Sequence, residues 1–510
     1  MKAIRAAIAA TLITMFVGCS TVDEIDRHRQ LIQAVGSGKY NRALELVNAG
    51  DFFPEERSAL LRLLERGTVN YRAGNYYQSL KIFEEARKLS NDLYSRSITS
   101  AAAGLVDSSL NEFYGRRYEH SLIRFYESLN HYNLYYSGRY ESHGENRGNK
   151  TIQLQEKILS DGERRFHFTA AKNILREWNS LLNSYENEDY RKAVYKSDLM
   201  EKLWGAFIHE ESGSSSDRQT AMALCRQAKT VLARDYGIYP VFNVNHREFK
   251  KNFHRFIDST NGGKIRKKYT GDTAYARELS EFVDSKIEKL RNHRNNNLVI
   301  LIKDGLVVRK KSKTYRFSLT ASLFESDERE EIWKFCTDIL KAETSITLSI
   351  PSIEYKNIGN KFEARLFDSN ENIVAKIPIV LVLPISDIAF GEIDREIAAE
   401  TGKILATIAA KYAAAIYTSY KLYKQVNNDK LGFILAYNLF RAEKLLIDKS
   451  SRPDLRQWLT LPDNLRIGED HVDGGNYLLK IYSLSENSQI EVYRKEITIG
   501  QDTTFVDINL

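Results

Sequence analysis

Between Leu60 and Leu89, apolar and small residues recur three or four positions apart in two runs, which is the spacing of one helical face. The first run comprises Leu60, Leu63, Leu64, Gly67 and Tyr71, and the second comprises Tyr76, Ser79, Leu80, Phe83, Ala86 and Leu89. Ala73-Gly74-Asn75 separates the runs, and its glycine permits a sharp turn. The pattern therefore predicts two helices that pack against each other as a hairpin.

Three small residues, Gly67, Ser79 and Ala86, lie on the apolar faces of these two helices. Small side chains let helices approach closely, and we expect the ring of Phe83 to fill the space between them. A helix hairpin of this kind resembles a tetratricopeptide unit, which cannot bury its apolar face alone and stacks on its neighbours.

The same pattern of a turn, a tyrosine, a small residue and an apolar residue recurs in the first half of the chain. The copies comprise Tyr40, Ala43 and Val47; Tyr76, Ser79 and Phe83; Tyr118, Ser121 and Phe125; and a weaker fourth, Tyr190 with Ala193. Between residues 22 and 297 the only prolines are Pro54 and Pro240. We therefore predict an all-α domain of tetratricopeptide-like (TPR-like) repeats over residues 19–297.

The tyrosine of each copy has two interpretations. It packs between helices with its hydroxyl towards solvent, or its ring lines a groove that binds a sugar or a peptide. Stacked hairpins form concave surfaces that accept helices or extended peptides. The second interpretation would therefore make these tyrosines part of a binding site.

The second half of the chain, residues 298–510, contains the other five prolines and several short runs typical of strands. The predicted strands are 298–302, 306–309, 315–320, 345–350, 361–367, 377–383, 476–484, 489–499 and 503–508. Asp304-Gly305 suits the turn of a hairpin between the first two. A proline-free, Ala-rich stretch at about 388–447 predicts long helices. The whole is expected to be an α+β multidomain chain, whose C-terminal part is an antiparallel β-sandwich-like domain with a long inserted Ala-rich helix.

Residues 1–18 have the pattern of an export signal. Lys2 and Arg5 accompany an apolar run, 4–17, that is short for a membrane span. The run ends in Phe16-Val17-Gly18-Cys19, which resembles the lipobox of bacterial lipoproteins. The resemblance implies a lipoprotein signal peptide over 1–18 and a lipid, such as palmitate, on Cys19. Because Ser20 follows, it also implies sorting to the outer membrane, facing the periplasm. An ordinary secretory leader or an uncleaved anchor is the alternative.

The charge and the cysteines narrow the classes of function. A formal charge of +7 over 510 residues is mild and includes no dense Lys/Arg stripe, which argues against nucleic acid as a partner. Cys225 and Cys336 are the cysteines beyond Cys19. They are either two buried thiols in separate cores or a bridge between domains.

Two common sequence motifs of hydrolases are absent from the sequence. Neither the HExxH pattern of zinc peptidases nor the GxSxG pattern of serine hydrolases occurs. We therefore predict no catalytic residue, no metal and no cofactor. The most unusual cluster is Arg456 and Trp458, shortly before Pro462. Trp458 is interpreted as a wedge between the helical and β-rich parts or, alternatively, as a platform for a ligand.

The layout as a whole resembles an uncharacterised family of bacterial lipoproteins with TPR-like N-termini. The resemblance is carried by the lipobox, the repeat around Gly67–Ala86, the stretch Val299–Val308, the Ala-rich helix and the run Asp454–Pro462 (DLRQWLTLP). It implies a cell-envelope lipoprotein and supplies no activity. Similar proteins occur beside lipoproteins that activate penicillin-binding proteins, which hints at a role in the cell wall.

These observations favour a non-catalytic, lipid-anchored scaffold that binds another envelope protein through its helical repeats, in cell-wall or envelope assembly. One alternative is a module that binds a glycan, either peptidoglycan or an exported polysaccharide. Another is an envelope hydrolase whose catalytic residues meet only in the folded chain.

Overall fold

The computed structural model describes most of the chain. The described residues are 20–50, 52–100, 112–147, 150–186, 195–242, 273–318, 320–324, 327–341, 345–356, 359–426, 429–450, 453–485 and 487–510. The predicted signal peptide, the lipidation site Cys19 and the fourth repeat copy at Tyr190 and Ala193 lie outside these residues.

The first half of the chain is built mainly of helices that pack on their neighbours in sequence. They are α1 (Ser20–Gly36), α2 (Tyr40–Asn48), α3 (Ala59–Arg72), α4 (Tyr76–Ser100), α5 (Arg117–Ser137), α6 (Asp161–Glu186), α7 (Leu199–Glu211), α8 (Ser215–Asp235) and α9 (Ala274–Arg291). Four short strands, β1 (Arg139–Tyr140), β2 (His143–Arg147), β3 (Lys150–Leu154) and β4 (Lys157–Ile158), lie between α5 and α6. β1 pairs with β4 and β2 with β3, both antiparallel.

The turn between α3 and α4 is the one that the sequence indicates. Gly74 has a positive φ of 82°, a conformation that side chains disfavour. Two residues later α4 begins, so the two helices can fold back on each other and share one core.

The second half of the chain forms a sheet and a helical hairpin. Its elements are β5 (Leu298–Asp304), β6 (Lys310–Ser318), α10 (Arg329–Lys334), β7 (Ser345–Ile353), β8 (Lys361–Phe367), β9 (Ile373–Pro384), α11 (Ile385–Gln425), α12 (Asp429–Ser450), β10 (Asn464–Asp470), β11 (Gly475–Leu484), β12 (Gln489–Ile499) and β13 (Thr504–Asn509). Seven strands form one sheet in the order β12-β11-β8-β9-β10-β5-β13. All neighbours are antiparallel except β5 and β13, which are parallel. The chain is therefore α+β, with a mixed sheet, while the predicted sandwich is not confirmed.

The predicted hairpin at Asp304-Gly305 is wrong. Gly305 does turn the chain, with a φ of 66°, but residues 306–309 form no strand. β5 pairs instead with β10 and β13, and all seven of its residues are buried. A buried strand needs a strand neighbour at each edge to pair its backbone N–H and C=O groups, and here both neighbours come from the end of the chain. β6 pairs with β7 in a separate two-stranded sheet.

The Ala-rich insertion is a pair of helices with a core of its own. α11 follows β9 without a linker and spans 41 residues, which corresponds to about 60 Å. Its second half packs on α12 and on the segment around α10. Cys336 belongs to this core and Cys225 to the main helical core, and both are free, buried thiols.

Candidate interaction surfaces

Gly67 lies directly against the ring of Phe83 where α3 crosses α4. A Cβ atom at Gly67 would lie 2.8 Å from Cε2 and 2.9 Å from Cζ of that ring. Ser79 Oγ donates a hydrogen bond to Gly67 O (2.8 Å), so the two backbones are tied together at the crossing. Phe83 and Ala86 are fully buried here. The small residues singled out in the sequence therefore line one close helix contact.

The segment Asp454–Pro462, which we call the Trp458 segment, packs against these helices. Trp458 is fully buried, and its ring centroid lies 5.9 Å from that of Phe83 and 5.8 Å from that of Tyr126. Its Nε1 donates to Thr68 Oγ1 of α3 (2.9 Å). Since β10 begins two residues after this segment, Trp458 connects the helical and β-rich parts, in the position of a wedge. Its burial leaves the ring no open face on which a ligand could stack.

Two buried glutamates hold the backbone of the Trp458 segment. Glu65 of α3 accepts hydrogen bonds from the backbone nitrogens of Leu459 (2.5 Å) and Thr460 (3.2 Å) and from Thr460 Oγ1 (2.6 Å). Glu119 of α5 accepts from Trp458 N (3.4 Å). Burial raises the pKa of Glu65 to about 7, although these hydrogen bonds lower it in part, and burial also raises the pKa of Glu119. Helices α3 and α5 thus bind the backbone of a segment of the same chain.

Arg456 supports the start of the same segment. Its guanidinium forms an ion pair with Asp454 (2.8 Å), and Nη1 donates to Arg57 O of the helical part (3.3 Å). Arg456 and Trp458 therefore lie together, as the sequence indicated, and both serve the contact between the two halves.

The other predicted repeat residues lie at separate places. Two of them belong to α2. Ala43 is buried, whereas Tyr40, the first residue of the helix, is half-buried beside a cleft. Tyr76 is half-buried, and Tyr118 is buried. Phe125 lies in the main core with its ring centroid 6.0 Å from that of Trp178.

Ser121 belongs to a buried polar cluster rather than to a close helix crossing. Its Oγ donates to Asp198 Oδ2 (2.9 Å) and accepts from Trp178 Nε1 (2.5 Å) and Tyr195 OH (2.7 Å). Asp198 also caps α7 by accepting from Met200 N (2.8 Å). Sequence reasoning missed Asp198 and Glu65. Asp198 precedes an apolar helical run, which is a cap signal, whereas nothing local distinguishes Glu65 from a solvated helix residue.

One face of α12 in the insertion exposes a row of large apolar side chains. Ala436, Phe440 and Ile447 are buried against α11 and neighbouring segments, so they define the inner face. The opposite face, which we call the α12 stripe, comprises Leu431, Ile434, Leu435, Asn438, Ala442, Leu445 and Leu446. Its leucines and isoleucine expose between 40% and 65% of their surface. Positions 431, 438 and 445 are seven apart, so the stripe runs along the helix as in a coiled-coil seam.

Two further findings concern chemistry and membranes. Within the described residues, no group of three or more His, Cys, Asp and Glu side chains is placed to hold a metal ion. Among the helices described, none combines the length and apolarity needed to span a bilayer.

Comparisons of the chain with family models, with curated proteins and with solved structures gave no match.

Proposed function

We propose that this protein is a non-catalytic, lipid-anchored scaffold of the cell envelope that binds another protein through the α12 stripe. The observation that carries the proposal is the continuous exposed apolar face of α12, opposite the face that packs on α11. Exposed apolar patches with polar borders mark sites where proteins associate.

The hairpins around Gly67 do not offer a free groove near Trp458. The Trp458 segment already occupies that contact, with its backbone bound to Glu65 and Glu119. In this proposal the packed N-terminal helices form the body of the scaffold, and the partner surface lies on the insertion.

The chemistry of the α12 stripe favours a helix as the partner. Leu431, Asn438 and Leu445 are at heptad spacing, as in the seam of paired helices, and one central polar residue such as Asn438 fixes the register of such pairs. A lipid surface would gain nothing from Asn438, because an amide in hydrocarbon lacks partners. Lys430 and Arg441 border one edge of the stripe, so we expect the partner helix to carry acidic residues there.

A photo-crosslinking residue in place of Asn438, in the lipid-anchored protein in cells, tests this proposal. We expect one discrete protein adduct whose crosslinked peptide is an amphipathic helix with acidic residues on one edge. Leu445→Glu should abolish the adduct, because a charge buried within an apolar interface lacks a partner there. Ile490→Glu is the matched control, since Ile490 is an equally exposed aliphatic residue, 57% exposed, on β12.

Other outcomes of the crosslinking experiment count against the proposal. An adduct between two copies of this chain would make α12 a self-association surface, and an adduct with lipid alone would make it a membrane contact. An adduct that survives Leu445→Glu would show that the apolar stripe is not the binding surface.

The lipid anchor is tested by Cys19→Ser. If Cys19 is lipidated, this change removes both the acyl attachment and the strong membrane affinity that several acyl chains supply. We expect loss of labelled palmitate and release into the soluble periplasmic fraction. Ser20→Ala, which keeps the cysteine, is the control and should remain labelled. A Cys19→Ser protein that still incorporates palmitate would contradict the lipobox interpretation.

The glycan-binding alternative receives no separate support from the tyrosines. Those of the second and third copies, Tyr76 and Tyr118, are half-buried and buried. Sedimentation with purified cell-wall sacculi discriminates between the two proposals, since a scaffold of the kind proposed here stays in solution.

A further inference from the structure

A cleft of about 800 Å³ lies between the N-terminal helices and the sheet, away from the α12 stripe. It is lined by α1 and the turn after it on one side and by residues 304–311 on the other. This volume is within the range of sites that bind small molecules, roughly 300–1,000 Å³. The cleft adjoins the Trp458 segment, since Leu459 lines it, and it is separate from the proposed partner surface.

Arg72, the last residue of α3, lines this cleft with a guanidinium that is mostly without partners. The residue is 6% exposed. Its one hydrogen bond to a described residue is a long one, from Nη2 to Thr460 O (3.4 Å), and no described residue accepts from its buried Nε. A buried guanidinium normally has several acceptors, because leaving its donors unpaired is costly. Arg72 therefore has donors available to a ligand in the cleft.

The side-chain carboxylates near Arg72 each have a basic side chain as a partner. Lys303 is fully buried nearby and forms an ion pair with Asp507, so that carboxylate is already engaged by a cation. Burial, and then the charge of Arg72, lower the pKa of Lys303. Asp304, which lines the cleft, is bound by Arg466 Nε (2.9 Å).

The basic side chains at the rim of the cleft differ in whether a carboxylate already pairs with them. Lys311 pairs with Glu354 (2.6 Å) and Lys356 with Asp463 (2.6 Å). Arg309 is exposed and lies on the same rim. An anion that enters the cleft therefore meets positive charge at the mouth and at Arg72.

Part of the remaining wall of the cleft is apolar. Ile32, Val35, Leu306, Val308 and Leu459 contribute this part, while Tyr40, Ser483 and Asn509 contribute polar groups. A small inorganic anion would leave this wall in contact with water, whereas a ligand with a hydrocarbon part would cover it.

We propose that the cleft binds a single-chain amphiphile, whose carboxylate or phosphate head contacts Arg72 and whose hydrocarbon part lies along the apolar wall. The guanidinium of Arg72, whose hydrogen bonds are incompletely satisfied, selects a negative head group, and the adjacent apolar wall selects an amphiphile with a hydrocarbon part over a free anion.

Calorimetric titration of the full chain with dodecanoate, below its micelle concentration, tests this proposal. We expect saturable binding of one molecule per chain, weakened about 10- to 100-fold by Arg72→Gln, which removes a charged hydrogen-bonding partner. Arg309→Glu at the exposed rim should weaken binding about 2- to 5-fold. Lys313→Glu, the same charge change on β6 but outside the cleft, should leave the affinity unchanged.

A second variant keeps the test valid if Arg72→Gln does not fold. At Gly36, the end of α1, a Cβ atom would meet only Leu306 Cδ1, at 3.9 Å. Gly36→Trp should therefore fold, project into the cleft and abolish dodecanoate binding.

Four further probes test which head group the cleft binds and whether the hydrocarbon part of the ligand is required. Dodecyl phosphate should bind as dodecanoate does, and dodecyltrimethylammonium and dodecyl maltoside should not. Inorganic phosphate should bind far more weakly than dodecyl phosphate. The proposal is overturned if the cationic amphiphile binds as well as dodecanoate, if inorganic phosphate equals dodecyl phosphate, or if Gly36→Trp leaves binding intact.

Discussion

Replacing Trp458 with alanine is expected to lower the free energy of unfolding by about 3–5 kcal/mol, the usual loss for a fully buried tryptophan. The indole lies between Phe83 and Tyr126, and its removal leaves a cavity at the contact between the helices and the sheet. It also removes the hydrogen bond to Thr68 (2.9 Å). Urea unfolding of the mature chain, followed by circular dichroism, measures the loss.

Two variants show whether this loss belongs to the Trp458 site. Trp458→Phe keeps an aromatic ring and loses the Thr68 hydrogen bond, so it should cost less than Trp458→Ala. Trp333→Ala removes a tryptophan that is only partly buried, in the insertion core, and should also cost less. If the free energy of unfolding of Trp458→Ala lies within about 1 kcal/mol of the wild-type value, as for surface substitutions, the indole of Trp458 is not buried between the helices as described.

Gly67→Ala is expected to destabilise the protein, although alanine is the better helix former by about 1 kcal/mol. A Cβ atom would lie 2.8 Å from a carbon of the Phe83 ring. That ring cannot move away easily, because it stacks on Tyr126 with centroids 5.0 Å apart and is fully buried. Overpacking of this kind costs about 1–3 kcal/mol, and Gly67→Val should cost more than Gly67→Ala.

The matched control is Gly402→Ala in α11. Gly402 is exposed within a helix, and a Cβ atom there would meet nothing within 4 Å. This change should therefore stabilise the protein by up to about 1 kcal/mol. In a Phe83→Leu background, Gly67→Ala should lose most of its cost, since the opposing ring is gone. A raised melting temperature for Gly67→Ala alone would mean that α3 and α4 do not cross closely at Gly67.

Local patterns in the sequence were sufficient for several of the individual elements. The strands predicted at 361–367 and 489–499 have the bounds of β8 and β12, because alternation and turn residues act within a few positions. The helix predicted within 388–447 corresponds to α11 and α12, since a long proline-free, Ala-rich stretch favours helix in almost any context. The close contact of Gly67 with Phe83 also followed from spacing, because both residues belong to neighbouring helices with a short turn.

Pairing between distant segments was decided by the tertiary structure alone. Asp304-Gly305 has the composition of a hairpin turn, yet β5 pairs with strands that begin at Asn464 and Thr504. The two edges of β5 are paired by β10 and β13, both from the end of the chain. Local composition carries no information about which distant strand will supply the hydrogen bonds.

For the functional surfaces, too, some features follow from the sequence and others only from the tertiary structure. The sequence by itself determined that Trp458 is an unusual residue and that 432–447 lies in a helix, because composition and periodicity are local properties. Only the tertiary structure decided that Trp458 is buried beside Glu65, that one face of α12 lies exposed, and that Arg72 faces a cleft. Burial of a side chain depends on which segments cover it, and those segments lie hundreds of residues away in the chain.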